Sequence, residues 1–150
     1  MEAVDTRQFI VADLNEEQFG IEITYIDNII VLQNITRVPK AQSYYKGVIN
    51  LRGEIIPVMN LSLRLGMAES ELTEKSRIII VRPEQQSAPV GLIVDEVKEA
   101  ITLEQTDIEK ITYKSKDDKK NFSIGIGKCG ADLINLLNIT AIVLDKEVKA

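Results

Sequence analysis

The chain has 150 residues, with 23 acidic against 18 basic side chains, no histidine and one cysteine. That length buries a core without disulfides, a composition 45% hydrophobic and 27% charged is that of a folded globular chain, and no apolar run approaches membrane-spanning length. The formal charge of −5 disfavours polyanion binding, and without histidine there is no Ser–His–Asp triad, Cys–His dyad or histidine-ligated zinc.

Ile and Val number 34 against 22 for Leu plus Ala, which favours pleated strands over helices. In chain order the strand-like runs are Gln8–Leu14, Phe19–Ile23, Asp27–Leu32, Gly47–Arg52, Glu54–Met59, Arg77–Arg82, Val90–Val94, Lys98–Leu103, Ser123–Gly127 and Leu133–Leu137. Polar turns at Asn15–Gln18 and Pro83–Ser87 predict antiparallel hairpins. Asn60 is placed to cap a short helix over Leu61–Leu65 that Gly66 ends. Asn138 is placed to cap a last helix whose Ile139, Ile142 and Val143 share one face.

The order of strands repeats. Phe9-Ile10-Val11, a turn and Phe19-Gly20-Ile21 are echoed by Ile79-Ile80-Val81, a turn and Val90-Gly91-Leu92. A glycine-turned hairpin follows each, Gly47–Arg52 with Glu54–Met59 and Ser123–Gly127 with Leu133–Leu137. Two similar five-strand units are expected, about 1–68 and about 69–150, joined by the charged stretch Ala68–Ser76. Lys114–Lys120 reads as a second exposed loop.

Few motifs carry chemistry. Gly125-Ile126-Gly127-Lys128 resembles the end of a phosphate loop, but Phe122 and Cys129 stand where that loop needs glycine and a hydroxyl residue, so a glycine-rich hairpin is the reading. Cys129 lacks the second cysteine or histidine that a redox or catalytic site needs. Glu16-Glu17 and Asp95-Glu96 are adjacent acids whose side chains would point apart along a strand, and they read better as solvated turns, so neither pair converges on a metal. The lysines between 110 and 120 are interrupted by Glu109, Asp117 and Asp118. No catalytic set, metal or cofactor is assigned, and no export signal precedes the first strand, so a non-enzymatic cytoplasmic protein is expected.

Arg52 is more informative, because it ends an apolar strand and precedes Gly53, which places a forked cation at a hairpin tip where it can grip a partner's carboxylate or carbonyls. An arginine packed on its own fold is the competing reading. Pro57 within the returning strand calls for an edge or a bulge.

The run Gly47-Val48-Ile49-Asn50-Leu51-Arg52-Gly53-Glu54-Ile55-Ile56-Pro57-Val58 resembles the CheW family of chemotaxis coupling proteins. The resemblance extends through Phe19-Gly20-Ile21, Val90–Asp95, Gly125–Lys128 and Leu133–Leu137. It implies a mostly β fold of two SH3-like five-stranded β-barrel subdomains packed together, with a short C-terminal helix, in a single CheW-like domain. It also implies an adaptor that couples chemoreceptors to the regulatory domain of the histidine kinase CheA, recruited to membrane-associated arrays without inserting in the membrane. A CheA kinase itself would need a nucleotide-binding domain and a phosphorylated histidine, which this chain lacks.

Carried over by position, Arg52, Asn50 and Gly53 lie at or near the receptor-facing groove between the two units, with Ile26 and Asn28 on the preceding strand region. Asn28 stands where many members carry Glu, and Asn60 where many carry Asp. Kinase binding is expected on the Arg77–Arg82 strand, where Ile78 and Ile80 share one face and Ile79 and Val81 the other, one face being core and the other contact. A small β-barrel binder of nucleic acid or a small ligand is the alternative class.

Overall fold

The computed structural model describes residues 6–39, 42–110 and 122–144. Within them the strands are β1 (Thr6–Leu14), β2 (Glu17–Glu22), β3 (Ile26–Val31), β4 (Tyr45–Leu51), β5 (Glu54–Asn60), β6 (Arg77–Val81), β7 (Val90–Val94), β8 (Glu96–Glu104), β9 (Ile108–Glu109), β10 (Ser123–Cys129) and β11 (Asp132–Leu137). Two short helices, α1 (Leu61–Arg64) and α2 (Ile139–Leu144), follow β5 and β11. Each of the ten expected strands forms, with ends within two residues of those read from the sequence, and both helices follow their asparagines. The expectation missed β9, too short to show a period. The Lys114–Lys120 loop lies outside the described residues.

The strands make two sheets, one of six in the order β8-β1-β2-β11-β10-β9 and one of five in the order β3-β6-β7-β5-β4. The repeat is therefore present, but a boundary near residue 70 does not divide the sheets. The β1–β2 hairpin joins the sheet of the C-terminal strands, and the β6–β7 hairpin joins the sheet of β3–β5. Hydrogen bonds to β8 and β11 fix β1 and β2 there, and those strands lie far along the chain. Local pattern reports a hairpin and its turn, not the sheet that takes it.

Strand register makes the two halves equivalent strand by strand. Each sheet holds one parallel pair, β2 with β11 and β7 with β5. Gly20 opposes Val11 and Gly91 opposes Ile80, so Val11 corresponds to Ile80 and Ala12 to Val81, one residue off the echo read from the sequence. In β4 and β10 the ladder slips at Gly47 and at Gly125. Asn60 Oδ1 accepts from the Leu63 N–H at 3.0 Å and Asn138 Oδ1 from the Ala141 N–H at 3.1 Å, the expected N-caps. The backbone N–H of each cap donates at 2.7 Å, from Asn60 to the Tyr44 carbonyl and from Asn138 to that of Phe122.

Three apolar clusters hold this arrangement. Phe9, Val11, Ile101, Leu103, Ile134 and Leu136 fill the six-stranded sheet, and Ile49, Ile56, Val58, Ile78, Ile80 and Ile93 fill the five-stranded one. Between them lies the largest cluster, with Leu14, Phe19, Ile21, Met59, Ile79, Leu92, Leu137 and Ile142. A strand between two clusters is apolar on both faces, which is why β6 reads Ile-Ile-Ile-Val without alternation.

Pro57 was expected at an edge or a bulge, yet β5 lies between β4 and β7. The β7 ladder covers only Val58–Asn60, so Pro57 sits just beyond it and no partner strand there needs its missing N–H.

Candidate functional site

β4 and β5 join through two residues, Arg52 at φ 54° and Gly53 at φ 84°, both in the left-handed region that a type I′ hairpin requires. Glycine adopts that conformation without strain and arginine does not, so Arg52 is held there by the turn. The Asn50 side chain contributes, its Oδ1 accepting the Gly53 N–H at 3.0 Å. Asn50, Arg52 and Gly53 are all exposed. The structure therefore gives Asn50 and Gly53 a defined part, that of shaping the turn which presents Arg52.

Beside the turn is a recess of about 270 Å³, with Asn28, Arg52 and Glu54 on its rim and the buried Ile56 and Ile80 in its wall. Asp27 and Arg82 also line it and pair with each other, Arg82 donating from Nε to the Asp27 carboxylate. Arg82 donates a second time, from Nη1 to the Ser87 carbonyl at 2.7 Å, which ties the β6–β7 connection to the same rim. Asp27 reaches this place because the β3 ladder slips between Ile26 and Asn28 and leaves it unpaired in a bulge.

Arg52 and Asn28 thus line one recess, which lies within the five-stranded sheet rather than between the two units. Asn28 Oδ1 accepts the Ile29 N–H at 2.9 Å, so this position supplies a neutral, locally engaged amide and no carboxylate for Arg52. Ile26 is half-buried against the central cluster and is not part of the recess lining. Asp27 and Arg82 escaped the sequence reading because a bulge leaves no mark in the apolar pattern.

The kinase-contact expectation is corrected. Ile78 and Ile80 are 0% and 2% exposed and belong to the core of the five-stranded sheet, while Ile79 and Val81 belong to the central cluster. Neither face of β6 is a docking surface. Cys129 is half-buried at the end of β10 and packs on the core of the six-stranded sheet.

A second recess, of about 720 Å³, lies beside the six-stranded sheet, between the β1–β2 and β10–β11 turns. There Lys98 lies 3.5 Å from Asp13 and 3.4 Å from Glu96. Hydrogen bonding to Glu96, with the Asp13 carboxylate beside it, holds the Lys98 ammonium above its ordinary pKa.

Among the described residues no group of three or more Cys, Asp or Glu side chains is placed to hold a metal, and no helix is long and apolar enough to cross a membrane. The comparisons with known proteins agree with the fold. The CheW-like domain family matches residues 8–147. The chemotaxis protein CheW of Bacillus subtilis is 37% identical over 140 residues, spanning 93% of this chain and 88% of that protein. CheW of Helicobacter pylori is 34% identical over 136 residues, spanning 91% of this chain and 81% of its own. The crystal structure of the scaffolding protein TtCheW from Thermoanaerobacter tengcongensis matches with a TM-score of 0.82 at 33% identity, covering 96% of this chain and 98% of that one. The chain belongs to the CheW-like family and has the role of a chemotaxis coupling scaffold.

Proposed function

We propose that this chain is a non-catalytic adaptor that joins the regulatory domain of the histidine kinase CheA to the cytoplasmic tips of chemoreceptors, and that the recess beside Arg52 takes the receptor. Scaffolding of this kind holds two partners at high effective concentration and lets the state of one bias the other. The recruitment to membrane-associated arrays belongs to the same reading, since the adaptor reaches the membrane through the receptor.

The observation that carries the receptor assignment is the exposed Arg52 fixed at positive φ over a recess walled by Ile56 and Ile80. A guanidinium held by its turn loses little freedom on binding, and its fork suits the carbonyls and carboxylates at the end of a helical hairpin. The strained backbone supports the reading too, because such strain persists at sites where a partner uses it.

Size-exclusion chromatography of the chain with a CheA regulatory domain and a soluble receptor-tip fragment tests this. The reading expects binary complexes with each and a ternary complex with both. Mutually exclusive binding, or binding of neither, overturns it.

A further inference from the structure

An internally duplicated chain presents two equivalent places for the same partner. Here the two recesses differ in size and in charge: the first, of about 270 Å³, is lined by two cations and two acids, and the second, of about 720 Å³, by one cation and four acids. The β8 ladder slips at Lys98 as the β3 ladder slips at Asp27, so these two bulged residues correspond. Their partners also correspond, since Asp13 follows Ala12 and Arg82 follows Val81. One bulge therefore pairs Asp27 with Arg82, and the other pairs Lys98 with Asp13, the same contact with its charges exchanged.

The turns differ in the same sense. Glu54 and Asp132 are equivalent, and so are Ile55 and Leu133, exposed at 60% and 66%. At the position of Arg52 the second hairpin has Gly130, with φ 61° in place of 54°, so the backbone sign is kept and the guanidinium is gone. The second recess is lined by Asp13, Glu16, Glu17 and Asp132 with one cation, Lys98. Both ion pairs are partly exposed, where such pairs contribute little to folding, so the exchange of charge has no evident structural purpose.

We infer that this reversal decides where and how often the chain takes a receptor-type partner: a helical tip rich in hydrogen-bond acceptors is drawn to the Arg52–Arg82 recess and repelled from its acidic counterpart. Placing like charge against like is a recognised means of rejecting a wrong register, and here it breaks the symmetry left by the duplication. Each chain then binds one tip, in one orientation. The inference rests on the receptor reading above and adds Asp27, Arg82, Asp13 and Lys98 as its specificity determinants.

Calorimetric titration of the full chain with a soluble chemoreceptor tip fragment, read for both affinity and stoichiometry, tests it. The unaltered chain should take one fragment. Asp27→Lys with Arg82→Asp keeps an ion pair but reverses it, and should lower affinity at least tenfold while the protein stays folded by circular dichroism. The reverse graft, Asp13→Arg, Lys98→Asp, Gly130→Arg and Ala131→Gly, should raise the stoichiometry to two. It also carries the test should loss of the Arg82–Ser87 bond unfold the first variant. Undiminished affinity in a folded first variant, or one fragment per chain in the folded graft, overturns the inference. Two fragments on the unaltered chain overturn it as well, while leaving the receptor reading intact. An unaltered chain that takes no fragment overturns the receptor reading and this inference with it.

Discussion

Arg64 and Ile142 occupy equivalent positions in the two halves, four residues beyond the caps Asn60 and Asn138, and they touch: the Arg64 Nε donates to the Ile142 carbonyl at 2.8 Å. Nη2 reaches the Ala141 carbonyl at 3.4 Å, so one buried guanidinium, 7% exposed, satisfies late carbonyls of α2. Its Cζ lies over two aromatic rings that also correspond, 4.5 Å from the Tyr44 centroid and 4.7 Å from that of Phe122. Arg64 therefore sits where the duplicated halves meet.

Arg64→Met should cost about 2–4 kcal/mol, from a lost charge-assisted hydrogen bond and two lost cation–π contacts. Arg64→Lys should rescue only part, because an ammonium lacks the plane that stacks and the fork that bridges. Urea unfolding measures both, as a fall in midpoint with an unchanged slope. A loss below about 0.5 kcal/mol for the methionine variant, the range of ordinary surface changes, would show that Arg64 does not hold the halves together.

Burial of both faces of β6 has its own test. Ile79→Ala and Ile80→Ala should each destabilise by about 2–5 kcal/mol, as for other buried isoleucines, because each leaves a cavity in a different cluster. A contact role for Ile80 would appear instead as lost kinase binding at nearly unchanged stability.

These comparisons show what local sequence carried and where it stopped. The caps at Asn60 and Asn138, the end of α1 at Gly66 with φ 81° and the Arg52-Gly53 turn were legible, since each depends on residues a few positions apart. The sheet that takes β1 and β2 was not, because hydrogen bonds to β8 and β11 decide it. Arg64 gave no signal, as its rings and carbonyls arrive from residues 44, 122, 141 and 142. For β6 the signal was present and misassigned. Four consecutive apolar residues indicate burial on two faces, whereas a half-exposed strand alternates.

Two glycines of the β4–β5 hairpin should respond differently to alanine. A Cβ on Gly47, whose φ is +144°, would lie 2.0 Å from the Thr36 carbonyl oxygen, whereas one on Gly53 meets nothing within 4 Å. Gly53→Ala should cost about 1 kcal/mol, the strain of positive φ alone. Gly47→Ala should cost about 3 kcal/mol or more, because the Thr36–Val48 bridge has to open. Equal losses in thermal unfolding would contradict the close approach at Gly47.

Alkaline stability depends on Tyr45. Burial, with Tyr44 beside it, raises the phenol above its ordinary value, against an opposing pull from Arg64. With the folded pKa above the unfolded value of about 10, the neutral phenol's contribution is complete below that pH and is lost as pH rises through the folded pKa. Unfolding free energy measured from pH 8 to 11 should therefore fall more steeply for the unaltered protein than for Tyr45→Phe. Parallel curves would show that Tyr45 titrates alike in both states.

The most direct test of the account is receptor-tip binding by Arg52→Ala and Arg52→Lys, each with its melting curve and its affinity for a CheA regulatory domain. Loss of a charge-assisted hydrogen bond at a partly exposed interface is worth about 1.5–3 kcal/mol, so Arg52→Ala should bind the tip about tenfold to a hundredfold more weakly. Arg52→Lys should also weaken it, because a forked contact is not replaced by a point charge. Kinase affinity should hold, and the melting temperature should not fall. Unchanged tip affinity in the alanine variant, or an equal loss of both partners with a marked drop in stability, would place Arg52 in the fold and contradict the assignment of this recess.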